Sequence, residues 1–115
     1  HIPLSFAQER LWFIEKYEGG NNAYNIPMVF KLAANTNLDI LSQTIKAIVQ
    51  KHEILRTLIQ EDSNGNGYQL ILDELEHPLN IATIIVRDHL QLDTELNKEV
   101  NHIYDLSKEY PIRVC

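Results

Sequence analysis

Lys51-His52-Glu53-Ile54-Leu55-Arg56-Thr57-Leu58-Ile59 is the stretch at which this sequence changes its period. Upstream, Leu38, Leu41, Ile45, Ile48 and Val49 recur every three or four residues, the apolar stripe of a helix over 38–51. Downstream, the β-favouring run Leu55 to Ile59 predicts a strand. It pairs with Tyr68 to Leu72 across Asn64-Gly65-Asn66-Gly67, because Asn and Gly accept the positive φ of a hairpin turn. Towards the N-terminus, Ile2-Pro3-Leu4 is extended and Ser5 caps a helix. Ala7, Leu11 and Ile14 form the stripe of that helix, Trp12 and Tyr17 flank it, and Gly19-Gly20 stops it. Ile26, Met28, Phe30 and Leu32 then alternate with Pro27, Val29 and Lys31, predicting a strand with an irregular entry at Pro27. Further on, a strand is expected over about Asn80 to Arg87, and a third helix capped by Asp93 buries Leu96, Val100 and Ile103. Helices alternate with strands, and the hairpin makes the sheet mixed. The fold class is α/β in the broad sense, an α+β arrangement of a mixed sheet with helices.

Composition narrows the function. The chain has 115 residues, the size of one small domain or part of a larger one, and residues 1–115 show no repeat, linker or internal boundary. With 44% hydrophobic residues a packed core is feasible. A net charge of −6 argues against nucleic acid, whose phosphates need a basic surface. No window approaches the ~20 apolar residues of a membrane helix. Cys115 is the lone cysteine, so no internal disulfide forms, and nothing resembles a signal peptide. A cytoplasmic protein is expected. His1 stands where a methionine would begin a chain, and Tyr110-Pro111-Ile112-Arg113-Val114-Cys115 reads as the opening of a strand, so a piece of a longer protein is expected.

Common catalytic patterns are missing. His52-Glu53 invites a helical zinc motif, but the second histidine would fall at 56, where Arg56 stands and cannot ligate a metal. The five histidines, at 1, 52, 77, 89 and 102, lack ligand spacing. Ser5 has no nucleophile elbow around it. The run 64–67 is a turn and not a phosphate cradle, since neither a Lys-Ser/Thr pair nor a helix follows. Glu74 and Glu76 fall near a turn and are expected to be solvated.

Two motifs remain. Ser5-Phe6-Ala7-Gln8-Glu9-Arg10-Leu11-Trp12 sets Gln8 and Trp12 on one helical face and Arg10 and Ile14 on another. His52 to Thr57 places Arg56 between Leu55 and Thr57, where it either meets solvent or points into the core and needs a partner. Ser5, Ala7, Gln8, Arg10, Leu11 and Trp12, followed by Ala23-Tyr24-Asn25-Ile26-Pro27, and then His52, Glu53, Leu55, Arg56 and Thr57, resemble the first two core motifs of condensation domains of nonribosomal peptide synthetases. Lys51 and Ile59 depart from the usual Arg and Phe but keep charge and apolar bulk. Tyr104-Asp105-Leu106-Ser107 and Pro111-Ile112-Arg113 resemble a third segment of the same domains.

The resemblance implies the start of the N-terminal lobe of a chloramphenicol-acetyltransferase-like fold. It implies an enzyme that joins a carrier-bound acyl or peptidyl thioester to a carrier-bound aminoacyl amine, with phosphopantetheine on partner carrier domains and an adenylation domain alongside. It implies that Arg56, with His52 and Glu53, supports the active site structurally, Arg56 pairing with the aspartate of a His-His-x-x-x-Asp-Gly signature. That signature is absent from the 115 residues, so none of them is assigned a catalytic role, no metal is expected, and the chain alone is expected to be inactive. Edges that the rest of the lobe should cover are expected to favour self-association. Two other classes fit the residues: a related stand-alone acyltransferase of the same superfamily, and a self-contained, non-enzymatic α+β docking module. The Arg-Leu-Trp ending of the first motif separates the chain from epimerisation and cyclisation domains.

Overall fold

The computed structural model describes residues 2–19 and 23–115; His1 and Gly20, named above, lie outside the described residues. In chain order it contains β1 (Ile2–Pro3), α1 (Phe6–Glu18), α2 (Leu38–Lys51), a 3-10 turn (Glu53–Arg56), β2 (Thr57–Glu61), β3 (Gly67–Ile71) and α3 (His89–Val100). The three strands pair antiparallel in the order β1-β3-β2. Parallel pairing among the described residues is confined to the bridge between Ile81 and Val114.

Local chemistry explains most element boundaries. Ser5 and Gln8 form a reciprocal capping box, the Ser5 hydroxyl accepting from the Gln8 N–H at 3.2 Å and the Gln8 side chain accepting from the Ser5 N–H at 2.8 Å. Gly19 ends α1 in the left-handed conformation, φ +79°, its N–H donating to Glu15 O. The Asn37 side chain caps α2 by accepting from the Ile40 N–H at 3.1 Å. The β2–β3 turn closes on one carboxylate: Asp62 Oδ1 accepts from the N–H of Asn64 and of Asn66, both at 2.9 Å, while Gly65 takes φ +82°.

Gly67, at the start of β3, lets α1 approach the sheet. A Cβ there would lie 2.8 Å from Leu4 Cδ1 and 3.1 Å from the Trp12 ring, so the indole rests directly on the strand backbone. Lys16, one turn further along α1, pairs with Glu61 at 2.6 Å at the end of β2. Among the described residues the buried ones are Val49, Leu58 and Leu79, together with Thr57 and Glu74.

The structure corrects several expectations. Ile26 to Leu32 form no strand, and Ile26, Met28, Val29 and Phe30 are exposed on both faces. Alternation specifies a strand only when a neighbouring strand takes its hydrogen bonds, and none lies alongside. Residues 80–87 contribute only the Ile81 bridge. The third helix is capped by Asp88, which accepts from the Gln91 N–H at 2.8 Å. Asp93 therefore lies inside that helix, and Ile103 lies beyond its end and is exposed. Arg56 belongs to the 3-10 turn, and the strand begins one residue later. Glu76 is exposed, but Glu74 is only 7% exposed.

Candidate functional site

The segment from His52 to Thr57 folds as one tight connection between α2 and β2. The His52 N–H donates to Ile48 O at 3.0 Å and closes the helix, and His52 O accepts from the Leu55 N–H at 3.0 Å to start the 3-10 turn. Thr57, 5% exposed, donates its hydroxyl to Glu53 O at 2.7 Å. The side chains of His52 and Glu53 stand exposed on this connection, and Leu55 is half-buried.

Arg56 turns inward. Its Nη1 donates to Leu72 O at 2.7 Å and its Nη2 to Gln50 O at 3.2 Å, so one guanidinium ties the end of α2 to the end of β3. The backbone repeats the tie, since the Leu72 N–H donates to Arg56 O at 3.0 Å. A cation at Gln50 O also complements the negative end of the α2 dipole. Nε is buried and bonds to nothing, and among the described residues Arg56 forms no ion pair.

The first motif divides its labour along α1. Ser5 and Gln8 make the cap, and Trp12 packs on Gly67. Ala7, Arg10 and Leu11 face outward, as does Phe6, 93% exposed. Together Phe6, Arg10 and Phe13 help to line a shallow apolar surface. The Gln8 cap was legible as the Ser-x-x-Gln spacing, a signal that the face-based reading of the helix passed over. The two motifs do not meet: the first rests on the start of β3 at Gly67, the second just past its end at Leu72.

The third segment is laid along the free edge of β2. Leu106 O accepts from the Ile59 N–H at 2.8 Å and Ser107 O from Gln60 Nε2 at 2.6 Å. Asp105 accepts from the Ser107 hydroxyl at 2.5 Å, which holds its carboxyl below the ordinary range. Glu15 on α1 is pushed up, first by burial and then by the Asp105 charge. Tyr110 donates its hydroxyl to His77 O at 2.5 Å. Burial raises the Tyr110 phenol, Glu74 raises it further and Arg56 lowers it, so both charges act on that hydroxyl. Arg113 holds Glu99 through Nε at 3.3 Å and Nη2 at 3.2 Å, beside an open cavity of about 390 Å3 that Tyr110 and Val114 also line.

With this geometry established, comparison with known proteins decides the family. The model of the Condensation domain matches residues 1–115. The chain belongs to the Condensation domain family. This condensation-domain sequence is 39% identical over 114 residues, 97% of its length, to the Salinispora arenicola "Probable non-canonical nonribosomal peptide synthetase (NRPS) CymA". It is 37% identical over 113 residues, 98% of its length, to the "N-(5-amino-5-carboxypentanoyl)-L-cysteinyl-D-valine synthase" of Amycolatopsis lactamdurans. It is 38% identical over 114 residues, 97% of its length, to the "Dimodular nonribosomal peptide synthase" of Bacillus subtilis. The matched stretches are 1%, 3% and 5% of those proteins respectively. Helices with a small antiparallel sheet fit the chloramphenicol-acetyltransferase-like architecture that the resemblance implies. No helix among the described residues is long and apolar enough to cross a membrane.

Proposed function

We propose that residues 1–115 are the N-terminal portion of a condensation domain within a nonribosomal peptide synthetase, and that the complete domain forms amide bonds in a peptide natural product. The observation that carries this reading is the family match over 1–115. The donor acyl or peptidyl group and the acceptor aminoacyl group arrive as thioesters on the phosphopantetheine arms of carrier domains. An adenylation domain of the same cytoplasmic synthetase loads the acceptor. The acceptor amine attacks the donor thioester carbonyl, a C–N bond forms, the C–S bond breaks, and the thiol leaves with the proton from nitrogen. Holding two tethered reactants together supplies much of the rate, and oriented dipoles stabilise the developing oxyanion.

In this scheme the 115 residues brace the site. Arg56 pairs with the aspartate of the downstream His-His-x-x-x-Asp-Gly loop, and the connection bearing His52 and Glu53 sets its position. Its two carbonyl contacts and its lack of an ion pair among the described residues support this. The test is Arg56→Ala in the full-length synthetase with loaded carriers. A fall in amide formation of about tenfold or more is expected, as for one lost charge-assisted contact; an unchanged rate and thermal midpoint sinks the assignment. The 115-residue chain by itself is expected to form no amide, and product from it would overturn this account of the chemistry.

A further inference from the structure

Among the described residues Glu74 is the one buried carboxylate, and its Oε1 has no hydrogen-bond partner. Among the described residues it forms no ion pair. Arg56 has the complementary deficiency, a buried Nε with no acceptor. The two lie in one corner of the molecule. Arg56 Nη1 is bonded to Leu72 O, two residues before Glu74, and the Tyr110 hydroxyl, held on His77 O, is acted on by both charges. The neighbouring acids are otherwise placed: Asp73 is exposed and spends Oδ1 on the Leu75 N–H at 3.0 Å, and Glu53 is exposed. A buried carboxyl and a half-buried guanidinium in one corner, each with an empty valence, are costly apart and compensate each other together. Among the described residues no direct ion pair joins them, which leaves a bridging water to couple the two groups.

We propose that Glu74 is the internal counter-charge of Arg56, a positioning residue that fixes the guanidinium through a bridging water. Arg56 is then aimed from within the fold by Gln50 O, Leu72 O and the Glu74 carboxylate before any outside partner arrives. This rests on the reading that Arg56 braces the catalytic loop.

The test compares Glu74→Gln, Glu74→Asp, Arg56→Lys and the Glu74→Gln/Arg56→Lys double variant in the full-length synthetase, measuring amide formation between loaded carriers and the thermal midpoint. A charge role predicts that Gln, though isosteric, slows the reaction about tenfold, the effect of losing roughly 1.4 kcal/mol. Asp, shorter but charged, recovers most of the rate, and the double variant is no slower than the slower single variant. The thermal midpoints follow the same order, which decides the matter if a variant is too poorly folded to assay. A Gln variant equal to the wild type, an Asp variant worse than Gln, or strictly additive effects would each overturn the proposal. An inert Arg56→Ala removes the reading of Arg56 itself; a damaging Arg56→Ala beside an inert Glu74→Gln removes only the counter-charge.

Discussion

Trp12 and Gly67 meet so closely that each limits what the other position accepts. A methyl group at Gly67 would meet Leu4 Cδ1, the end of a flexible side chain, and the Trp12 ring at 3.1 Å, so both would have to shift. Gly67→Ala is expected to lower stability by about 1–3 kcal/mol, read as a lower urea midpoint, and Trp12→Phe should return part of it by shrinking the ring. Two carboxyls pull stability in opposite directions with pH. Asp105 titrates below its unfolded value because the Ser107 hydroxyl bonds its ionised form, so its contribution is present above the ordinary carboxylate range and is lost as pH falls through the folded value. Glu15 titrates above its unfolded value because of burial and Asp105, so its contribution is complete at low pH and disappears as pH rises through the folded value. Midpoints measured from acid to neutral pH should show a shallower acid loss in Asp105→Asn. They should show Glu15→Gln above the wild type at neutral pH, and a Glu15→Gln curve parallel to the wild type refutes the second effect. Ser5 was legible as a cap because its partner is three residues away. Glu74 was not legible: a position at a turn suggests solvent, and Tyr110, whose hydroxyl is bonded to His77 O, comes 36 residues later.

Helix boundaries depend on side chains within one turn, and so they test cleanly. Asp88→Ala removes the acceptor of the Gln91 N–H and should cost about 1 kcal/mol, whereas Asp93→Ala, one turn inside α3, should change stability by less than about 0.5 kcal/mol. Equal costs in thermal melts would mean that Asp88 is not the cap. The expected helix over 38–51 matches α2 at both ends because its stripe, the Asn37 cap and the His52 stop are all local. The hairpin is likewise encoded between residues 57 and 71, by the Asp62 carboxylate and Gly65. Residues 26–32 and 80–87 have equally good β patterns and are not strands, apart from the Ile81 bridge. A hairpin carries its own partner; these two segments depend on a partner from elsewhere.

At the scale of the whole molecule the chain is thin, measuring 51 × 30 × 20 Å with a radius of gyration of 16.2 Å, against about 13 Å for a compact domain of some hundred residues. Ile26 and Phe30, 86% and 69% exposed, lie in an uncovered apolar segment, and Phe6 and Phe13 add another on α1. As an isolated chain it should therefore associate, with a sedimentation coefficient that rises with concentration, and Phe30→Lys should weaken that rise. A concentration-independent monomer would show that these faces tolerate water. The motifs, the Ser5 cap, the second helix, the hairpin and the family likeness were all present in the order of residues, because each depends on chemistry repeated within a few positions of the chain. Folding in three dimensions settled which alternating segments became strands, that the two motifs occupy opposite ends of β3, and that Glu74 is buried near Arg56. Those outcomes rest on contacts between distant segments: strand partners, a glycine that admits an indole, and a C-terminal segment that closes over a turn. Short-range pattern carries no record of them.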